Sequence, residues 1–129
     1  MVLGGRYELV RRIAVGGMGE VWLGRDQVLG RDVAIKILKD ELVGSTEFLE
    51  HFRAEARHTA SLSHPGIAAV FDYREELIDG RCTAYLVMEL VDGEPLSDKL
   101  EREGALAVPL ALSIVAQCAD ALHAAHRVG

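Results

Sequence analysis

The chain has 129 residues, of which 50% are apolar and 26% charged, and its formal net charge is −6. That length suits one domain, and that balance suits a folded chain rather than a disordered one. The acidic balance and the lack of any basic run argue against a nucleic-acid partner, because phosphate backbones are held by clustered Lys and Arg.

The first forty residues read as strands. Residues 7–15 (YELVRRIAV) are rich in β-branched and aromatic side chains and run into Gly16-Gly17. Residues 20–25 (EVWLGR) follow, and 26–30 (DQVLG) look like a turn. Residues 32–38 (DVAIKIL) alternate Val33, Ile35 and Ile37 against Ala34, Lys36 and Leu38, so these three strands make an antiparallel meander. The period then changes. Phe48, Phe52, Ala56 and Ala60 recur every fourth residue, which predicts an amphipathic helix over 46–62, capped by Ser45 or Thr46 and stopped by His64-Pro65-Gly66.

Strand character returns at 67–74 and at 83–90, on either side of a loop around Asp79-Gly80. Beyond Asp92-Gly93 the pattern predicts a short helix over 95–103 and a longer one over 108–127, opened by Pro109. The longer helix is apolar almost all round, through Leu110, Leu112, Ile114, Val115, Cys118, Ala121, Leu122 and Ala125, and such a helix expects burial on most sides. The fold class is therefore α+β: a five-stranded antiparallel sheet with one packed helix, continuing into a helical region.

Cys82 and Cys118 are too few for a disulfide framework or a zinc site and read as two buried thiols in a reducing compartment. Residues 104–117 are alanine-rich but interrupted by Pro109, too short for a bilayer span of about 20 apolar residues. The first residues lack the layout of a signal peptide, so the chain reads as cytoplasmic, with any membrane segment lying beyond it. His51, His58, His64, His123 and His126 match no metal spacing and read as structural or surface groups.

Three elements carry chemistry. Residues 14–21, Ala14-Val15-Gly16-Gly17-Met18-Gly19-Glu20-Val21, put glycines between two strands, where bare backbone N–H groups can approach an anion and φ can turn positive. A dinucleotide fingerprint would need a helix directly after the glycines, whereas Val21-Trp22-Leu23 reads as a strand, and the Gly-Lys-Ser/Thr ending of a Walker loop is absent. Val33-Ala34-Ile35-Lys36 then sets a lysine among apolar neighbours, where its charge needs a partner. Glu55, three residues after Phe52 and beside Ala56, borders the apolar stripe and can face Lys36, whereas Glu50 points elsewhere.

These stretches occur in order with Phe52-Arg53-Ala54-Glu55-Ala56, Leu62-Ser63-His64-Pro65-Gly66-Ile67 and the run 85–93 (YLVMELVDG). Together they strongly resemble the actinobacterial receptor-type serine/threonine kinases of the Hanks type, over essentially the whole chain. The resemblance implies a kinase small lobe over 1–93, hinge included, and the first two helices of the large lobe over 94–129. It implies ATP as substrate with Mg2+ in the intact kinase, protein substrates bearing Ser or Thr, and a second copy of the kinase as a further partner.

By resemblance, residues 14–20 cover the ATP phosphates, Lys36 contacts them and Glu55 pairs with Lys36. Ile13 and Val21 would roof the adenine, Ala34 would wall it, and Met88 would stand as gatekeeper. Glu89 and Val91 would be the hinge, with Asp98 near the ribose. Ala14 replaces the first glycine of the family's flap, which implies altered flap mobility rather than lost binding. The family continues past residues 124–129 into a His-Arg-Asp loop and an Asp-Phe-Gly magnesium site, and none of these lies in the 129 residues. The catalytic base and metal ligands are thus expected outside this chain, and the chain alone is expected to be inactive. A non-catalytic nucleotide-binding or docking fragment that regulates a partner kinase stands as the alternative.

Overall fold

The computed structural model describes residues 1–17, 19–38 and 43–128. Six strands run β1 (Val2–Leu3), β2 (Tyr7–Val15), β3 (Gly19–Asp26), β4 (Arg31–Leu38), β5 (Val70–Ile78) and β6 (Arg81–Met88), in sheet order β1-β2-β3-β4-β6-β5 with every pair antiparallel. Helix α1 (Thr46–Ala60) lies between β4 and β5 in the chain, and α2 (Leu96–Glu103) and α3 (Val108–His126) follow the sheet. The expected five strands are present. The sixth, β1, is only two residues long and pairs Val2 with Glu8 and Leu3 with Tyr7, too short to register as a period.

Turn chemistry sets where the strands end. Asp79 and Gly80 both take positive φ, 52° and 78°, the backbone of a two-residue hairpin whose twist matches the strands it joins. That tight turn draws β5 and β6 right up to it. The strands consequently sit at Val70–Ile78 and Arg81–Met88 rather than at the expected 67–74 and 83–90. Ile67 belongs to the preceding turn, its N–H bonded to the His64 carbonyl at 3.1 Å.

The stretch expected as a plain turn at 26–30 holds a buried charge. Asp26 is 1% exposed, ends β3 and accepts from Arg6 through two bonds of 3.0 and 2.9 Å. It also accepts from the Val28 and Leu29 amides at 3.0 and 3.1 Å. Four donors on one carboxylate supply what burial takes away, and the Arg6 guanidinium, ahead of the two amides, holds its carboxyl far below the usual range.

The sheet curls until its ends meet. The Gly4 amide donates to Glu76 at 2.8 Å and the Tyr7 hydroxyl to Asp72 at 2.8 Å, joining the start of the chain to β5. Inside the curl lie Leu3, Tyr7, Val33, Ile35, Tyr85 and Val87. Outside it, α1 covers Leu38, Ala84 and Leu86 with Phe52 and Ala56. β4 serves both cores because alternate side chains take opposite faces. Helix α1 is two residues shorter than expected, and Ser45 occupies its N-cap position without a side-chain bond.

α2 and α3 bury none of their residues. α2 begins at Leu96 with Pro95 as its cap, and α3 ends at His126, one residue short of expectation. The burial expected for α3 is therefore not supplied by this chain: Leu112, Val115 and Leu122 are 65, 64 and 57% exposed. Cys82 and Cys118 are both exposed, contrary to expectation, the latter because it rides on this uncovered helix. Pro109 sits in the first turn of α3 and opens the helix instead of interrupting it. With 19 residues and a mean hydropathy of 1.4, α3 is long and apolar enough to cross a membrane by length and composition alone, a test that core helices of soluble proteins also pass.

Candidate nucleotide-binding site

Strand register assembles one row of residues on the face that α1 covers. Val21 stands opposite Lys36 and Lys36 opposite Leu86; Leu23 stands opposite Ala34 and Ala34 opposite Met88. Directly opposed residues in an antiparallel sheet share a face. β2 joins the row through two irregularities, between Leu9 and Arg11 and between Arg12 and Ala14, which leave Val10 and Ile13 as extra residues and put Ala14 opposite Val21. Ile13, unpaired at the second irregularity, is 41% exposed.

The glycine hairpin connects β2 to β3 at the Val21 end of this row. The Gly16 amide bonds the Gly19 carbonyl at 2.8 Å, closing the turn. Gly16, Gly17 and Gly19 do not use positive φ, so the conformational argument for them fails here. Space supplies the reason at Gly19 alone, where an added Cβ would stand 2.0 Å from the Ile37 carbonyl oxygen on the paired strand. Among the described residues, a Cβ at Gly17 would meet nothing within 4 Å, and one at Gly16 only the Gly19 oxygen at 3.8 Å. Bare backbone at 16 and 17 is therefore not demanded by the fold. Met18, expected at this site, lies outside the described residues.

Lys36 Nζ donates to both oxygens of Glu55, at 2.9 and 3.2 Å, and sits 6.0 Å from the centre of the Phe52 ring. The pair is half-open: the two side chains are 28 and 41% exposed, so a ligand can reach the lysine. Glu50 is exposed on the helix. Val15 and Glu20 pair with each other on the opposite face from Val21, and the Glu20 carboxylate is taken by Trp22 Nε1 at 2.8 Å and Arg12 at 3.4 Å. Their side chains thus point away from Lys36.

At the edge of the row, Met88 packs against the cluster that joins α1 to the sheet. The Glu89 amide donates to the Ala69 carbonyl at 2.8 Å, and the Glu89 carboxylate accepts from the Ala69 amide at 3.2 Å. The amide of Glu89 is thus already committed to the protein. Val91 is 68% exposed beyond it, and Asp98 is exposed in the first turn of α2. Among the described residues no group of three or more His, Cys, Asp or Glu side chains is placed to hold a metal ion.

Two further contacts support the site and were not legible as such. Arg53, two residues before Glu55, makes a two-pronged pair with Glu75 on β5, one prong at 2.8 Å, and the Tyr73 hydroxyl donates to the same carboxylate at 2.7 Å. Arg53 and then Tyr73 pull the Glu75 carboxyl down to about 2. Elsewhere, His64 Nδ1 accepts from the Gly66 amide at 2.9 Å, which leaves Nε2 to donate to Asp120 on α3 at 2.9 Å. The alternation of residues on α1 could have signalled Arg53. Nothing in the pattern signals His64–Asp120, since the partners are far apart in sequence.

The sequence matches a known family. The protein kinase domain matches residues 7–129, so the chain belongs to the protein kinase family. It is 55% identical over 130 residues to the serine/threonine-protein kinase PknA of Mycobacterium tuberculosis, and 42% identical over 127 residues to the serine/threonine-protein kinase PknB of Mycolicibacterium smegmatis. All of this chain aligns with 30% of the former, and 98% of it with 20% of the latter. The crystal structure of the M. tuberculosis PknI kinase domain superposes with a TM-score of 0.81 at 33% identity, over 100% of this chain and 50% of that one. The chain thus spans less than a third of its curated relatives and half of a solved kinase domain. Its curled sheet, α1, and the helices after it correspond to the small lobe and the start of the large lobe.

Proposed function

We propose that this chain is the ATP-holding part of a serine/threonine protein kinase, in which residues 1–93 form the nucleotide lobe and 94–129 begin the second lobe. The carrying observation is the Lys36–Glu55 pair, set on the same sheet face as Val21, Ala34 and Met88. The adenine would lie on the apolar shelf of Ile13, Val21, Ala34 and Met88. The Glu89 carbonyl and the backbone of Val91 would face its edge, since the Glu89 amide is already bonded to Ala69. Asp98 would stand near the ribose. Gly16 and Gly17, with room above them, would let the Gly17 amide reach the phosphates, since the Gly16 amide is bonded to Gly19, with Ala14, Val15, Met18, Gly19 and Glu20 shaping the flap by backbone.

Lys36 is the catalytic residue of this part. Its ammonium, steadied by Glu55, would neutralise and orient the phosphates, and orientation of that kind favours the transition state over ground-state binding. Kinase domains use Mg2+ with ATP, but the described residues offer no cluster to hold it. The protein containing this chain would transfer the γ-phosphoryl of ATP to Ser or Thr hydroxyls of protein substrates, with a second copy of the kinase as a further partner. A protein using ATP in this way would work in the cytoplasm.

A fluorescent ATP analogue, displaced by unlabelled ATP, tests the reading on the chain itself. Binding is expected to disappear in Ala34→Trp, which fills the shelf, and to weaken far less in Lys36→Met. In the protein that contains this chain, Lys36→Met is expected to abolish phosphoryl transfer from radiolabelled ATP. Absence of nucleotide binding, or full activity of Lys36→Met, overturns it.

A further inference from the structure

Helix α1 is held to the sheet by apolar contact at its centre and by one ion pair on each flank. Phe52 and Ala56 face the sheet. At 3.6 residues per turn, Arg53 and Glu55 lie about 80° to either side of the line between those two. Arg53 reaches β5 through Glu75, and Glu55 reaches β4 through Lys36. The helix therefore lends a cation to one strand and an anion to another.

Apolar contact is non-directional and fixes a helix's distance from a sheet better than its roll. Here the Arg53 flank is thinly packed. A cavity of about 290 Å³ runs between α1 and β5, lined by Arg53, Ala56, Arg57, Val70 and Tyr73 among others. Arg53 and Tyr73 border that gap, Arg53 reaches from it to Glu75, and the Tyr73 hydroxyl fixes the orientation of the carboxylate. A roll of α1 toward β5 would draw Glu55 off Lys36, and a roll the other way would stretch Arg53 off Glu75.

We propose that Arg53, Glu75 and Tyr73 form a positioning clamp that sets the roll of α1 and thereby holds Glu55 against Lys36. This rests on the reading of Lys36 as the phosphate-orienting residue, which it deepens by naming what governs that pair. Glu75 stays charged far into acid because its carboxyl is held at about 2, so the clamp persists across the working pH range.

The test reads the chemistry of Lys36 directly. An ammonium held by a carboxylate must give up that pairing and a proton before its nitrogen can attack an ester. Lysines of the chain are acylated with a small N-hydroxysuccinimide ester under limiting conditions, and rates at each site are read by peptide mass spectrometry. Lys99, paired with Glu103 on α2, serves as the remote reference. Arg53→Ala and Glu75→Ala are expected to raise the Lys36 rate about threefold or more relative to Lys99, in the direction of Glu55→Gln, with Arg53→Lys in between. The double exchange Arg53→Glu with Glu75→Arg is expected to restore it.

Arg53→Lys and Tyr73→Phe, which keep charge and volume, decide the matter if the alanine variants do not melt cooperatively. An unchanged Lys36-to-Lys99 ratio in folded variants overturns the clamp. Acylation with and without ATP separates the two claims. If ATP fails to protect Lys36 while the variants still respond, the nucleotide reading falls and the clamp stands. If ATP protects and the variants do not respond, the clamp falls and the nucleotide reading stands.

Discussion

The curled sheet with α1 and the helical stretch after Asp92 are both rich in apolar residues, yet they end in opposite states. In the sheet, Val33, Ile35, Tyr85 and Val87 are fully buried on one side, and Phe52 is fully buried on the other. In α3, Leu110, Leu112, Val115 and Leu122 are all more than 40% exposed. Apolar content by itself does not tell which side chains are covered. Helix formation in α3 is satisfied locally, by alanine and leucine propensity and a first-turn proline. Burial requires partners, and the sheet finds them within the chain because each strand presents two faces and the curl closes one of them.

Truncation at the joint between sheet and helix should break the better-packed half. Phe52→Ala removes a fully buried ring that also contacts Tyr73, with centroids 5.7 Å apart, and is expected to cost about 3–5 kcal/mol in urea unfolding. Gly19→Ala ranks next. The close approach to Ile37 forces β3 and β4 apart, for an expected loss of about 1–3 kcal/mol by the same measurement.

Polar substitution in α3 should sharpen the contrast from the other side. Leu112→Glu and Val115→Glu are each expected to change stability by less than about 0.5 kcal/mol, since neither side chain gives up burial in this chain. The exposed stripe should instead govern association. The 129-residue chain alone is expected to elute from size exclusion as larger than a monomer, and the double substitution to shift it toward monomer. It is also expected to show no transfer of labelled phosphate to a generic protein substrate.

The remaining effect is electrostatic. Glu75 is lowered from its ordinary 4.5 to about 2, mainly by Arg53 and then by Tyr73. A carboxyl depressed on folding contributes stability that is complete above the unfolded value and is lost as pH falls through the folded one. The stability difference between the chain and Glu75→Gln should therefore be flat above about pH 4.5 and vanish as pH approaches 2. Denaturant unfolding at several pH values reads it.

Much of the sheet and of the site was legible because the relevant signals are local. The alternation of 32–38 gave β4 its faces, and the spacing of Phe52, Glu55 and Ala56 turned the glutamate toward Lys36. What escaped depends on partners distant in sequence. Asp26 reads as a turn residue until Arg6 is seen beside it, and Arg53 has no assigned partner until β5 supplies Glu75. Cys118 reads as a core thiol because α3 looks like a core helix, and only the absence of a cover in this chain exposes it. The start of the strand expected at 67–74 slipped because the turn after His64 takes Ile67, and its end slipped because the loop at Asp79-Gly80 closes in two residues, so that the strands run right up to it.

The glycines of the hairpin stand under two different steric constraints. Gly19 is required wherever β3 and β4 pair this closely, whether or not anything is ever bound, because a methyl group there collides with backbone. Gly16 and Gly17 meet no such obstacle. Under drift in a lineage released from nucleotide binding, side chains would accumulate at 16 and 17 while 19 stayed bare. A descendant with a bulky pair at those two positions and an intact Gly19 would thus be a folded lobe that had abandoned its ligand, and its hairpin alone would say so.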